Sequence, residues 1–340
     1  MAKSEARGRK PDNYALEIIQ RQREDQHLNR IVEALGFRKP IVQDGEYVDM
    51  WADDCDASPV PLTWICQSSS FIGGTTGKGK TNTVEAILAS MAKMGIGFSV
   101  IDQENEYFPD SVASRFGVMR IDAKRFADND EIIKKLAITV VLQSKRVVIY
   151  FTGMSQYEKC DFLLKYMRAL YWICDKLEPE EKIPHILCID EGSNFFPQRM
   201  DSSYDKYQEL NNEASLATRA GRKRGLAFMV ATQSMKDIQK APLRQMDNKI
   251  FHGVSDASDI MAYIFVLKRS GERGMTSWAF RVFPKMVAGE LYFIRGSHII
   301  FGRAKYMPWH VSVTPNPYKR ATQAQLKKYS PDLLDLEAMT

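Results

Sequence analysis

An α/β fold, with a mostly parallel sheet covered by helices on both faces and closed by a C-terminal hairpin, is what this sequence predicts. Three observations carry the prediction. A phosphate-binding pattern, G-x-x-x-x-G-K-[ST], runs from Gly74 to Thr81, between a strand-like run and a stretch of helical composition. Short continuous apolar runs then alternate with helical stretches, as expected of strands buried on both faces. Near the end, strand-like runs at 290–294 and 298–303 are separated by Arg295-Gly296-Ser297, a hairpin signal.

Taken in chain order, the first dozen residues are basic and read as a disordered tail. Asp12 or Asn13 can cap a helix running to Leu35, with Leu28, Ile31, Val32 and Leu35 on one apolar face and Gly36 as its stop. Residues 40–61 are acidic and proline-bearing and read as loop with one strand, leading into Leu62–Gln67. Strands follow at 70–73, 97–102, 146–152, 185–190, 226–232 and 249–253, with helices at 81–94, 110–116, 130–144, 155–176 and 204–223. The tail after Pro315 is polar. The expected organisation is a basic tail and helix over 1–40, a phosphate-loop α/β domain over 41–310 and a peripheral tail over 311–340.

Composition sets the outer bounds. A chain of 340 residues has ample core for one large domain or two small ones. Hydrophobic residues at 44% and charged residues at 26% exclude a disordered or fibrous class. A net charge of +5 permits a nucleic-acid partner without requiring one. Cys55, Cys66, Cys160, Cys174 and Cys188 show no CxxC pair or metal-ligand spacing, so they read as buried apolar residues in a reducing compartment. The charged start lacks the apolar core of a secretory signal, and no apolar run reaches membrane-spanning length. A cytoplasmic protein without membrane insertion is expected.

The phosphate-binding pattern is specific: it arises by chance in a chain of this length roughly once in a hundred. Glycines at 74, 77 and 79 let backbone N–H groups wrap a polyphosphate that side chains would block. The candidate nucleotide-binding residues are Gly74, Thr75, Thr76, Gly77, Lys78, Gly79, Lys80, Thr81 and Asn82. Lys80 reaches the β and γ phosphates of ATP or GTP, the Thr81 hydroxyl is placed for Mg²⁺, and the following helix offers its N-terminus to the phosphates.

Ile186-Leu187-Cys188-Ile189-Asp190-Glu191 is an apolar strand ending in two acids. At a strand's carboxyl end Asp190 would meet the Mg²⁺ shell, and Glu191 would deprotonate the attacking water, which implies hydrolysis. Arg219, Arg222 and Lys223 lie at i, i+3 and i+4 on the expected helix. On the run alone, a solvated C-terminus suited to the macrodipole, with Gly225 as the stop, is the simpler reading. Gln233 closes the next strand, where an amide can report on the γ-phosphate.

This ordered set resembles the HerA/FtsK superfamily of ring-forming DNA-translocating ATPases, over residues 70–305. Residues 71–84 are similar to its first motif, and Asp102 followed by Glu106-Tyr107 to a strand-end acid found in HerA-like members. Asp190-Glu191-Gly192-Ser193-Asn194-Phe195-Phe196-Pro197 is similar to its second motif, with Ser193 where His is usual. Residues 219–233 match a basic segment leading into a strand that ends in Gln, and Gly289-Glu290-Leu291 a shared C-terminal turn.

The resemblance implies a RecA-like core, ATP and Mg²⁺ as ligands, and six copies in a ring around double-stranded DNA. It also implies an arginine acting on a neighbouring subunit's site, for which Arg219 and Arg222 are candidates beside Arg244 and Arg273. Lys236, Lys240, Lys268 and Arg269 are candidates for the channel wall. The short format resembles viral genome-packaging or plasmid-mobilisation relatives, with a capsid, relaxase or nuclease partner. The alternative is an ATP-dependent assembly scaffold that docks a nuclease or membrane partner without processive movement. The five histidines show no ligand spacing, and Tyr166, Tyr171 and Trp172 read as core.

Overall fold

Seven parallel strands run inward from one edge of a ten-stranded sheet in the computed structural model, which describes residues 47–48, 50–51, 60–178, 182–198, 205–267, 275–296 and 298–304. The amino-terminal elements are β1 (Tyr47–Val48), β2 (Met50–Trp51), β3 (Val60–Pro61), α1 (Leu62–Gln67), β4 (Ser70–Gly73), α2 (Lys80–Lys93) and β5 (Gly97–Asp102). Next come α3 (Asp110–Ala113), β6 (Val118–Asp122), α4 (Asp130–Leu142), β7 (Arg146–Tyr150), α5 (Gln156–Lys176), β8 (His185–Ile189) and α6 (Gly192–Phe195). The chain continues through α7 (Asp205–Ala220), β9 (Leu226–Thr232), α8 (Lys240–Gln245) and β10 (Asn248–His252). It ends with α9 (Ala257–Leu267), α10 (Met275–Val282), β11 (Glu290–Arg295) and β12 (His298–Ala304).

The sheet order is β2-β12-β11-β10-β4-β9-β8-β5-β7-β6. Every neighbouring pair from β10 to β6 is parallel, and β11, β12 and β2 add antiparallel strands at the other edge. The expected C-terminal hairpin is β11–β12. β9 lies between the phosphate-loop strand β4 and the acid-bearing strand β8, so those two strands stand two spacings apart, about 10 Å.

Period-2 alternation divides the core between the two faces. Ile72, Val100, Val148, Ile186, Cys188, Met229 and Ile250 pack with residues of α1 and α2. Their sequence neighbours Phe71, Ile101, Ile149, Leu187, Val230 and Phe251 pack with α4, α5, α7 and α9 on the opposite face. Two helices carry side-chain N-caps that match their sequence: Asn129 accepts from Ile132 N–H, and Ser155 forms a reciprocal capping box with Glu158. A buried polar chain crosses the core, with Ser99 Oγ 2.6 Å from Tyr166 Oη and 2.9 Å from His185 Nε2.

The structure departs from the sequence reading in places. Residues 62–67 form a helix, β6 is an added parallel edge strand, and α8, α9 and α10 were given no element. The helix expected over 204–223 ends as α-helix at Ala220 and tightens into a 3₁₀ turn over Gly221–Arg224. The α-helical i, i+3, i+4 face therefore does not carry Arg219, Arg222 and Lys223 together. Position 221 has room only for glycine, since a Cβ there would lie 2.3 Å from the Leu226 carbonyl oxygen. Tyr166 is core as expected, whereas Trp172 is exposed, with the Lys134 ammonium 4.3 Å from its ring centre. Cys66, Cys160, Cys174 and Cys188 are free and buried. The amino-terminal helix, Cys55 and the tail after 304 lie outside the described residues. Among the described residues no helix is long and apolar enough to cross a membrane.

Candidate nucleotide-binding site

The loop from Gly74 to Gly79 is held by its own backbone against three other segments. Gly74 N–H donates to the Thr232 carbonyl at 3.3 Å and Thr75 N–H to the Gly253 carbonyl at 3.2 Å, while the Lys78 carbonyl accepts from Gly289 N–H at 3.0 Å. Lys78 Nζ donates to the Met286 carbonyl at 2.7 Å, so the turn before β11 is fastened to the loop twice. Two glycines are required by geometry. A Cβ on Gly74 would lie 2.5 Å from His252 Cβ, and Gly79 caps α2 at φ 98° with Gly289 Cα 3.1 Å from where its Cβ would stand.

Lys80 opens α2 and is buried, with Nζ 3.4 Å from the Thr75 carbonyl. Burial lowers its pKa, opposed by the charges of Glu191, Asp190 and Glu106. A buried ammonium at a helix N-terminus that has no acidic residue in its first turn is arranged to receive an anion. Thr81 and Asn82 follow in that turn, half-buried.

Asp190 is buried at the end of β8, and its N–H donates to the Ile101 carbonyl at 3.1 Å. Desolvation, reinforced by the Glu191 charge, pushes its carboxyl up to about 7. The buried Tyr107 hydroxyl faces Asp190 without forming a hydrogen bond of good geometry. Asp102, ending β5, is occupied otherwise: its carboxylate accepts from Glu106 N–H at 3.2 Å and Tyr107 N–H at 2.9 Å.

Glu191 adopts a left-handed backbone, φ 46° and ψ 51°. Gln233, at the end of β9, donates through Nε2 to Glu191 Oε1 and accepts at Oε1 from the Thr76 hydroxyl. One amide thus joins the phosphate loop to the acidic pair. The Asp190 carboxylate and the Thr81 hydroxyl are hard oxygen donors of the kind that Mg²⁺ takes together with substrate phosphates.

The structure therefore brings together Thr76, Lys80, Asp190, Glu191 and Gln233. It does not bring the basic segment to them. Arg219 is exposed at the end of α7, its Nε donating to the Ser215 carbonyl at 3.1 Å. It precedes β9, whose rise carries the chain about 20 Å to Gln233. Arg222 lies in the 3₁₀ turn at that same amino-terminal end of β9. Arg244 stacks on Phe265 at 3.9 Å, and Lys236 pairs with Asp256 at 3.7 Å. Lys240 donates to Gln198 Oε1 and to the Lys236 carbonyl. Lys268, Arg269 and Arg273 lie outside the described residues.

Sequence reasoning passed over His252. It backs Gly74, donates through Nδ1–H to the Glu290 carbonyl at 2.9 Å, and is held neutral by burial, its pKa down to about 4. Its only sequence signal was a position at the end of an apolar strand. Gln103, next after the strand-end Asp102, and Asn194, within the second motif, carried no role in the sequence reading. Gln103 Nε2 lies 3.3 Å from both the Asp190 and Glu191 carbonyls, and Asn194 Nδ2 donates to Gln103 Oε1 at 3.2 Å.

Comparison with known proteins agrees with this fold. VirB4 of Thermoanaerobacter pseudethanolicus superposes with a TM-score of 0.54 at 11% identity, covering 79% of this chain and 99% of that one. The DNA-packaging ATPase B204 of Sulfolobus turreted icosahedral virus gives 0.49 at 14% identity, covering 71% and 99%. The pCW3 conjugation coupling protein TcpA, solved with ATPγS, gives 0.46 at 18% identity, covering 79% and 68%. No curated protein matches in sequence. The family profile described as the central domain of helicase HerA matches residues 52–265, most of the chain and every residue of the loop, the acidic pair and Gln233. With a RecA-like sheet and this site, the chain belongs to the HerA central-domain family and is a P-loop ATPase of the HerA/FtsK type.

Proposed function

We propose that this protein is an Mg²⁺-ATP-driven translocase of double-stranded DNA that works as a ring of identical subunits. The observation that carries the reading is the amide of Gln233 spanning Thr76 and Glu191, which couples the phosphate loop to the residue that activates water. Lys80 neutralises the phosphates of ATP, and Thr81 and Asp190 would hold Mg²⁺, which would supply further neutralisation of the phosphate charge. Glu191 takes the proton of the attacking water. Gln233, bonded to both sides, registers whether a γ-phosphate is present.

Arg219 or Arg222 acts on the neighbouring subunit. Its place at the amino-terminal ends of the parallel strands, away from its own phosphate loop, supports action in trans, as does membership of a family whose profile is a helicase domain. An arginine so supplied stabilises charge developing on the γ-phosphate. DNA contacts run to backbone phosphates, so binding is salt-dependent and indifferent to sequence. The genome-packaging and conjugation proteins of similar fold suggest transport of a viral or plasmid genome, with a capsid, relaxase or nuclease as partner.

Two measurements test this. Linear duplex DNA should stimulate ATP turnover by the full chain; turnover unchanged by DNA at low salt favours an assembly scaffold instead. Mixing Lys80→Ala with Arg219→Ala subunits, or with Arg222→Ala, should restore activity that each homogeneous variant lacks. A flat baseline at every ratio for both arginines removes them from the catalytic site.

A further inference from the structure

We propose that Gln103 is a positioning residue that fixes the backbone of Glu191, an inference that rests on the reading of Glu191 as the water-activating base. The argument begins with conformation. Glu191 at φ 46° and ψ 51° occupies a region that a side chain with a Cβ enters at a cost, so something must hold it there. The two rotations concerned are those of the peptide planes on either side of its Cα. The plane before Glu191 carries the Asp190 carbonyl, and the plane after it carries the Glu191 carbonyl.

A single side-chain nitrogen, Gln103 Nε2, lies 3.3 Å from both of those oxygens. It thereby ties both planes to the end of β5, the strand paired with β8. Main-chain bonds help at each side: Asp190 N–H donates to the Ile101 carbonyl at 3.1 Å, and the Glu191 carbonyl also accepts from Asn194 N–H at 2.9 Å. Gln103 is itself oriented. Its Oε1 accepts from Asn194 Nδ2 at 3.2 Å, which leaves Nε2 to face the carbonyls, and the Asn194 carbonyl accepts from Gln156 Nε2 at 2.7 Å. The polar chain Gln156–Asn194–Gln103 runs from the first residue of α5 to the acidic pair.

Glu191 is therefore fixed twice, at its backbone by Gln103 and at its carboxylate by Gln233. Each of Gln103's amide atoms is committed to this turn, and it touches no atom of the phosphate loop among the hydrogen bonds of the described residues. Its loss should alter where the Glu191 carboxylate stands without altering how nucleotide is held. Small displacements of a reacting group are enough to cost about 100-fold in rate.

The test compares Gln103→Met, which keeps length and removes the donor, with wild type, Glu191→Gln and the double variant, all as the full chain. Single-turnover and steady-state ATP hydrolysis, binding of a non-hydrolysable ATP analogue, and thermal midpoint are measured for each. The expected result for Gln103→Met is kcat lowered about 10- to 100-fold, with KM and analogue affinity within about twofold of wild type. No further loss should appear in the Glu191→Gln background, because the two residues act as one unit. Turnover equal to wild type in Gln103→Met, or losses that multiply in the double variant, overturns the proposal. If Gln103→Met does not fold, Asn194→Asp replaces it: this change removes the donor to Gln103 Oε1, and wild-type kcat there overturns the proposal equally. Should Glu191→Gln itself hydrolyse ATP at the wild-type rate, the reading of Glu191 fails first. A slow Glu191→Gln beside an unaffected Gln103→Met sinks only the positioning role.

Discussion

The carboxamide of Gln233 donates to the carboxylate of Glu191 across 42 positions of sequence, while the same amide accepts from Thr76 on the phosphate loop. No other side chain among the hydrogen bonds of the described residues touches both halves of the site. Gln233→Ala should therefore lower ATP turnover by about 100-fold, the scale of one lost preorganised donor, while analogue binding persists. Gln233→Glu should be worse, because a second carboxylate would face Glu191. Turnover of either variant within twofold of wild type would show that the amide carries no message between the halves.

Lys80 and Glu191 should separate binding from chemistry. Lys80→Ala removes the buried ammonium that opens α2 and should abolish analogue binding and hydrolysis together. Glu191→Gln should hold ATP with near-normal affinity and turn it over about 100-fold more slowly or worse, since only the base is lost. Equilibrium binding set beside single-turnover rates decides this, and normal hydrolysis by Glu191→Gln would remove that residue from the mechanism.

Legibility differed from residue to residue for physical reasons. The phosphate loop was readable because its chemistry is done by backbone, and backbone that must curl needs glycine at fixed places, here Gly74 and Gly79. The strand ending in Asp190 was readable because a five-residue buried strand is a continuous apolar run. α9 was not readable, because Ile260-Met261-Ala262-Tyr263-Ile264-Phe265-Val266 is apolar on consecutive positions and favours no period. β6 escaped because Arg120 interrupts its apolar run, its half-buried side chain pairing with Asp110 at 3.2 Å and lying over the Tyr150 ring. His252 and Gln103 escaped because their roles come from neighbours far away in sequence, Glu290 for one and Asp190 and Glu191 for the other. The need for glycine at 221 escaped because it arises from the close approach of the Leu226 carbonyl at the start of β9.

Asp190 gives the nucleotide-free protein a pH signature of definite sign. Its carboxyl is held at about 7 in the fold against 3.8 as its ordinary value, so between those values the folded state binds more protons than the unfolded chain. This contribution to stability is fully present below the ordinary value and is lost as pH rises through the folded one. In EDTA, Asp190→Asn should then be more stable than wild type. Its advantage should grow from about pH 4 to about pH 7 and level off above that. Thermal midpoints across that range check it, and an advantage that shrinks as pH rises would contradict the burial argument.

Gly74 and His252 make a steric pair that predicts an unusual rescue. Gly74→Ala places a methyl 2.5 Å from His252 Cβ and should displace the loop, lowering analogue affinity at least about tenfold. Because the collision is with Cβ rather than the ring, His252→Ala in the same chain should not restore binding, whereas His252→Gly should restore part of it. Equal rescue by the two would mean that the imidazole, and not the backbone-proximal carbon, is what crowds the loop.

β9 lies between the strands that carry the phosphate loop and the acids. The standoff between the two halves is thus a ruler made of main-chain hydrogen bonds, and no side-chain substitution can redraw its gradations. A catalytic reach set in this way has one adjustable part, the length of the residue that extends from the far mark. Glu191→Asp, one methylene shorter, keeps charge and basicity yet falls short, and the sheet cannot slide to meet it. Every copy of the chain carries the same ruler, so sites built from several copies would share one reach without needing to agree on anything else.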